Sequence, residues 1–293
     1  MRPVTRVGLV AKHRLDAAAG VVAELAGWLE ARSVTPVFET HTAALVGLPP
    51  GRPTTSSDDL PGACDLVVLL GGDGTLIGTA GRIAQAGTHV PILGVNFGSL
   101  GFLTEITLPE LYDSLQSVLD GDAEIDERMM LRARTLRAGT VLADRFVVND
   151  VVITKGALSR IIDLSVSVGE QLVMQVRADG LIVATPTGST AYNLAAGGPI
   201  VHPAVDAMLL TPIAPHMLTN RPVVLPASSA VRVSPIMNGA EEVFVTFDGQ
   251  SGHPLEADDI IEIGRADRVL RLVRASSRNY WDVLRQKLKW GAR

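Results

Sequence analysis

The sequence predicts a chain in two parts, an α/β domain followed by an all-β region and closed by a terminal helix. Three observations carry this. The 293 residues exceed the ordinary size of one domain. As far as Gly121, short apolar runs alternate with helical patterns, which is how a parallel sheet with crossover helices reads. From about Arg128 the pattern changes to period-two alternation broken by turns, the signature of an all-β layer or sandwich.

In the first part, strands are expected over 6–11, 35–38, 65–70 and 91–95, and helices over 15–31, 76–86 and 108–119, the last stopped by Gly121. The stretch 48–62, with Pro49, Pro50, Pro53 and Pro61, reads as an exposed loop, a plain connection more readily than a flap. In the second part, Leu131, Ala133 and Leu136 share a face, Phe146-Val147-Val148 follows, and Leu164, Val166 and Val168 precede a Gly169-Glu170 turn. Further strand patterns fall at 223–225, 231–233, 243–247, 260–263 and 269–273, and Tyr280 to Trp290 reads as an amphipathic, basic helix.

Composition narrows the class of protein. With 47% hydrophobic and 19% charged residues the chain can bury a core, and at 4% aromatic that core must be Val, Leu, Ile and Ala. The net charge of −5 argues against a nucleic-acid surface but leaves room for a small anionic ligand held by local donors. Cys64, the sole cysteine, excludes an intrachain disulfide, fits a reducing cytoplasm and reads as a small buried residue rather than a nucleophile. No apolar run approaches the roughly 18 residues of a membrane span, and the N-terminus lacks a signal-peptide pattern, so a soluble cytoplasmic protein with no membrane partner is expected.

Four segments carry candidate chemistry. Gly71-Gly72-Asp73-Gly74-Thr75 lies where an apolar run stops and a helical pattern begins, as a phosphate loop does. Asp73 is the odd member, since a carboxylate beside phosphates is repelled unless it binds a metal or takes a proton. Neither the lysine-bearing GxxxxGK[ST] loop nor a GxGxxG fingerprint is present, and an ordinary tight turn also fits GGDGT. Asn96 to Glu105 follows a strand at the end where open α/β sheets bind ligands, and fits ligand loop and structural turn equally. Asn149-Asp150 sets two polar groups into apolar β sequence, where they suit a ribose diol or a strand-end turn. Arg177 to Pro199 packs five hydroxyls, that of Tyr192 among them, and several glycines together, as a pocket reading a nucleotide requires; a helix capped by Ser189 or Thr190 accounts for one hydroxyl only.

Together these segments resemble the NAD kinase family. GGDGT at Gly71, NFGSLGFLTE at Asn96, ND at Asn149, RADGLIVATPTGSTAYNLAAGGP at Arg177, PIAPHMLTNRPVVLP at Pro212, FDGQ at Phe247 and YWDVLRQKLKWG at Tyr280 follow the family's order over nearly the whole chain. GGDGT alone is shared with 6-phosphofructokinases and with diacylglycerol and sphingosine kinases, whereas TPTGSTAY is specific. The resemblance implies a Rossmann-like N-terminal α/β domain at 1–124, completed by 275–293, and a β-sandwich-like NAD-binding domain at 125–274, with the C-terminal helix returning to the first. It also implies transfer of the γ-phosphate of ATP to the 2′-hydroxyl of the adenosine ribose of NAD, with a divalent metal, Mg2+, arriving with ATP.

By residue-to-residue matching, Asp73 corresponds to the proton acceptor, and Gly71, Gly72, Gly74 and Thr75 to the part that handles phosphates. The NAD contacts would come from Asp73 and Gly74, from Asn149 and Asp150 at the sugars, from Thr190, Ala191, Tyr192, Asn193, Leu194 and Ala195, and from Asp179 and Gln250. Arg160 would lie near the substrate phosphates, with a solvated turn charge as the bland alternative. Arg177 would lie near the transferred phosphate and goes in the family with ATP over polyphosphate, though a structural salt bridge would use the same residue. Many members carry Ser where Asn193 and Ala195 stand, so only backbone contacts carry over there, and near Gly78 some members carry a basic residue, which leaves that phosphate contact unassigned. The six histidines show no zinc-like spacing. Family members form homodimers or homotetramers. A lipid kinase sharing GGDGT and a non-catalytic dinucleotide sensor are the competing readings; phosphorylation of NAD from labelled ATP separates them.

Overall fold

A computed structural model describes residues 3–48, 51–98, 100–156, 160–237, 242–274 and 278–290. The chain divides into two compact units, Met1–Glu127 with Leu270–Arg293, and Arg128–Val269.

The first unit is built on β1 (Arg6–Ala11), α1 (Ala18–Glu30), β2 (Thr35–Glu39), α2 (Thr40–Val46), β3 (Thr54–Thr55), α3 (Leu60–Ala63), β4 (Leu66–Gly71), α4 (Asp73–Gln85), β5 (Ile92–Asn96), β6 (Ile106–Thr107) and α5 (Leu111–Asp120). Five strands pair in parallel in the order β5-β4-β1-β2-β3. The chain builds outward from β1 to β3, then returns to β4 on the other side of β1. Strand order therefore reverses between β1 and β4, the place where open α/β sheets leave a crevice at the carboxyl ends of their strands.

β4 reads Leu-Val-Val-Leu-Leu-Gly and is buried along its whole length, as a central parallel strand covered on both faces must be. Its neighbours Val7, Leu9, Leu93 and Val95 join Leu25, Leu29 and Leu115 of the flanking helices in one core. The stretch 48–62 is more ordered than its prolines suggest, for it contributes β3 and the short helix α3, whose Leu60 is buried. Leu60 and Cys64 pack against Gly8, where a Cβ would lie 2.9 Å from the Cys64 sulfur. Burial pushes the Cys64 thiol up to about 12, in keeping with an inert packing residue.

The second unit is a pair of sheets formed by β7 (Ile125–Arg137) from Arg128 onward, β8 (Thr140–Val147), β9 (Asp150–Lys155), β10 (Ile162–Val168), β11 (Gln171–Ala178), β12 (Gly180–Ala184), β13 (Ala207–Ile213), β14 (Val223–Pro226), β15 (Val231–Ile236), β16 (Val243–Phe247), β17 (Ser251–Leu255) and β18 (Asp259–Val273) as far as Val269, with the one-turn helix α6 (Tyr192–Ala195). One sheet runs β14-β13-β12-β9-β16-β17, all antiparallel. The other brings β11, β10, β15 and β18 together with β7 and β8. Inward residues of both, such as Val151, Ile153, Leu181 and Val183 against Leu131, Leu164, Val166 and Val233, form a single aliphatic core, the sandwich that alternation predicted.

The opposite face of β9 and β12 carries Val152, Ile182 and Ala184, covered by Ala196 and Val201. Because side chains alternate along a strand, Asp150 shares that outer face with Val152. The terminal helix α7 (Tyr280–Leu288) belongs to the first unit, where Asn279 caps it and Arg278 bonds the Glu105 carbonyl and the Glu110 carboxylate.

Candidate functional site

In the first unit the glycine loop closes β4 and opens α4. The helix starts at Asp73, three residues before Leu76 where periodicity placed it, because Gly72 serves as an extended N-cap (φ −125°, ψ −177°) and glycines obscure the apolar rhythm. Asp73 is thus the first helical residue, and a carboxylate there suits the helix dipole.

Its side chain reaches into the 96–105 segment. Oδ2 accepts the Phe102 N–H at 2.8 Å; Oδ1 accepts the N–H groups of Leu103 (3.2 Å) and Thr104 (3.0 Å) and the Thr104 hydroxyl (2.9 Å). Asn96 extends the network, donating to Thr104 Oγ1 at 3.2 Å and accepting from the Gly98 N–H at 2.5 Å. Gly101 is required by closeness, since a Cβ there would lie 2.1 Å from Asp73 Oδ1. The two sequence segments form one structure, with Asp73 as the clasp.

The second unit repeats the device. Oδ2 of Asp248 accepts the Val148 N–H at 2.8 Å, and Oδ1 accepts those of Asn149 (2.7 Å) and Asp150 (3.0 Å). Asp248 adopts φ 53° in the β16–β17 turn and returns its own N–H to the Asp150 carbonyl at 2.9 Å. Asn149 and Asp150 therefore sit at a bend entering β9, held from behind, with Gln250 in the same turn as their clamp.

Burial raises the Asp150 carboxyl to about 7, helped by the neighbouring Asp248 charge; burial raises Asp248 to about 6 against three N–H groups that favour its charged form. Asp248 was absent from the candidates read off the sequence, although it belongs to FDGQ. The Asp-Gly pair at the tip of an alternating hairpin was its signal.

The hydroxyl-rich segment spends much of its polarity on itself. Thr185 Oγ1 donates to the Val148 carbonyl at 2.6 Å and accepts the Gly188 N–H at 2.9 Å; Ser189 Oγ binds both the carbonyl and the N–H of Val201. Gly188 lies against Asn149, where a Cβ would meet the Asn149 carbonyl oxygen at 2.1 Å. Ser189 and Thr190 do not cap a helix. Residues 187–190 form a 3-10 turn, and α6 begins after Ala191 without a side-chain cap.

Asn193 is fully buried, its amide donating to the Ser189 and Pro199 carbonyls and accepting from the Thr211 hydroxyl, so that side chain is committed internally. Tyr192 is 46% exposed and Ala195 is exposed, whereas Thr190, Ala191 and Leu194 are half-buried. This wiring brings 185–195 beside Asn149.

Asp179 lies in the β11–β12 turn with Lys155 Nζ 3.8 Å from its carboxylate. Arg177 is exposed on β11 opposite Asp163, and Arg160 is exposed just ahead of β10; residues 157–159 of its turn lie outside the described residues. Among the described residues no group of three or more His, Cys, Asp or Glu is placed to hold a metal ion, and no helix is long and apolar enough to cross a membrane.

Comparison with known proteins defines the class first: a nucleotide-using phosphotransferase in two domains. Residues 7–123 match the profile of the ATP-NAD kinase N-terminal domain and residues 148–275 that of the ATP-NAD kinase C-terminal domain. The chain is 49% identical over 288 residues to NAD kinases of Geotalea daltonii and Geobacter sulfurreducens, covering 98% of this chain and 99% of each relative. It superimposes on a yeast NADH kinase solved with NADH at a TM-score of 0.90, 26% identity, 100% of this chain and 90% of that one. An NAD kinase from Archaeoglobus fulgidus solved with ATP shares the fold at a TM-score of 0.75, 24% identity, 96% of this chain and 99% of that one. The chain belongs to the NAD kinase family.

Proposed function

We propose that the protein transfers the terminal phosphate of ATP to the 2′-hydroxyl of the adenosine ribose of NAD, giving NADP, with Asp73 as the general base. The observation that carries this is the state of the Asp73 carboxylate. A carboxylate offers about four acceptor positions. Among the described residues Oδ1 has three donors and is spent, whereas Oδ2 has one, Phe102 N–H, and keeps a position for the hydroxyl proton of the acceptor. Oδ2 is thus the atom that takes the proton. A base fixed by four bonds needs no reorganisation when the hydroxyl arrives.

Gly71, Gly72, Gly74 and Thr75 face the donor phosphates in this reading, the start of α4 offering N–H groups and Thr75 its hydroxyl. Asn149 and Asp150 hold the sugars of NAD. Gly74, Asp179, Gln250 and the segment Thr190, Ala191, Tyr192, Asn193, Leu194 and Ala195 supply further NAD contacts in this reading, Asn193 through its backbone. Arg160 and Arg177 serve phosphates, and the Arg177 guanidinium goes with ATP rather than polyphosphate as donor. A divalent cation would enter on the phosphates of ATP and supply charge neutralisation there. A cytoplasmic homodimer or homotetramer belongs to the same proposal.

The test is NADP formation from NAD with ATP, with polyphosphate and with no donor. NADP with ATP alone is the expected result; NAD binding without ADP release would leave a sensor.

A further inference from the structure

We infer that Lys12 is a donor-phosphate ligand of this site, supplying the cation that the glycine loop lacks. The inference rests on the phosphotransferase reading above and concerns one residue outside the recognised segments.

Strand order reverses between β1 and β4. Lys12 is the first residue beyond β1, and Gly71 the last of β4. Ala11 pairs with Leu70, and the Lys12 N–H donates to the Leu70 carbonyl at 2.8 Å, which brings Lys12 level with Gly71 across the reversal.

Gly71 exists for this contact. A Cβ on it would lie 3.1 Å from the Lys12 Cβ and 3.3 Å from the Thr75 hydroxyl, so the lysine stem and the threonine converge on the bare α-carbon. The first intrahelical bonds of α4 run from the Thr75 and Leu76 N–H groups to the Gly72 carbonyl, which leaves the helix start facing the same place.

Charge makes the second part of the case. Lys12 is exposed, and among the described residues it forms no ion pair with any carboxylate. The acid of the neighbouring strand end, Glu39, is buried and occupied by the Thr42 N–H, the Thr42 hydroxyl and the Ser57 hydroxyl. His13 follows Lys12 and meets His41 edge to face with ring centres 5.6 Å apart. Asp73 itself is turned into the 102–104 backbone.

An ammonium on a four-carbon stem beside a glycine loop and a helix N-terminus is the arrangement that Lys-bearing phosphate loops achieve within a single segment. Here the strand neighbour provides it. Lys12 would bind the anionic oxygens of the terminal phosphates of ATP and take no part in bond making.

The test compares wild type with Lys12→Met, Lys12→Gln and Lys12→Arg in NADP formation, with inorganic tripolyphosphate as a competitive inhibitor against ATP. Loss of one charge-assisted contact predicts a fall of about 10- to 100-fold in kcat/KM for ATP and a matching rise in the tripolyphosphate inhibition constant in the Met and Gln variants. KM for NAD should stay within about twofold, the melting temperature should be unchanged, and Arg should recover part of the loss. ATP and tripolyphosphate constants within about twofold of wild type in both neutral variants would overturn the role of Lys12 while leaving the kinase reading intact. Absence of NADP formation by the wild type would overturn that reading before any variant is made.

Discussion

Asp73 and Asp248 are held in the same way and stand in different company. Each accepts three consecutive backbone N–H groups from a neighbouring segment, the first on Oδ2 and the next two on Oδ1. The fourth partner of Asp73 is the Thr104 hydroxyl, a donor. Asp248 instead faces Asp150, a second buried carboxylate that raises the energy of the pair. Among the described residues, one clamp leaves a position open on Oδ2 of its carboxylate, and the other uses its carboxylate to shape the Asn149-Asp150 bend. The same backbone chemistry leaves one carboxylate with room for a further donor and commits the other to a scaffold.

The largest effect should come from removing the proposed base. Asp73→Asn is expected to lower kcat for NADP formation by about 10²–10⁴-fold, the usual worth of general-base assistance. Because an amide nitrogen would face N–H donors of residues 102–104, its NAD affinity should be measured as well. Turnover close to wild type would remove Asp73 from the role.

Asp248→Ala strikes the scaffold. Three backbone N–H groups lose their acceptor, and urea unfolding should register a loss of about 3 kcal/mol. An unchanged midpoint would mean that water replaces the carboxylate, and the clamp would be incidental.

Asp150 gives a pH signature of definite sign. Its carboxyl is raised to about 7, so the folded chain binds that proton more tightly than the unfolded one, and stability falls as pH climbs from the ordinary carboxylate range through about 7. Asp150→Asn should therefore stabilise the protein at pH 8 by on the order of 2 kcal/mol and progressively less toward pH 4. In the catalytic assay the sign is opposite. On the proposed role, in which the ionised group accepts from the ribose, kcat/KM for NAD should decline as pH falls through about 7, and Asp150→Asn should lack that limb. Parallel profiles in wild type and variant would contradict the assignment.

Thr104→Val is the mildest probe. It removes one of four donors to Asp73 and one acceptor from Asn96, and should lower kcat by less than about tenfold. A loss as deep as that of Asp73→Asn would mean that the clasp, and not the base, limits the reaction.

Much of this arrangement was legible in the sequence. The run Leu66 to Leu70 announced a central parallel strand, and the glycines after it marked the turn from β4 into α4. Alternation from Leu131 onward gave the sandwich, because the core there is made by inward residues of regular strands.

What stayed hidden were contacts made by irregular backbone. Nothing local in Asn96 to Glu105 says that its N–H groups turn toward a carboxylate some thirty positions earlier, nor in Phe247 to Gln250 that Asp248 reaches back about a hundred. The hydroxyls of Thr185 and Ser189 read as ligand donors, yet the structure spends them on Val148, Gly188 and Val201. Composition reports that donors are present. Only the folded backbone decides which of them are left over.

The most direct test of this division of labour is single-turnover NADP formation by Asp73→Asn and Asp248→Ala, each at saturating NAD and at a temperature where both are folded. The rate for Asp248→Ala should stay within about tenfold of wild type, and that for Asp73→Asn should be lower by about 10²–10⁴-fold. Equal losses in the two variants would contradict this division.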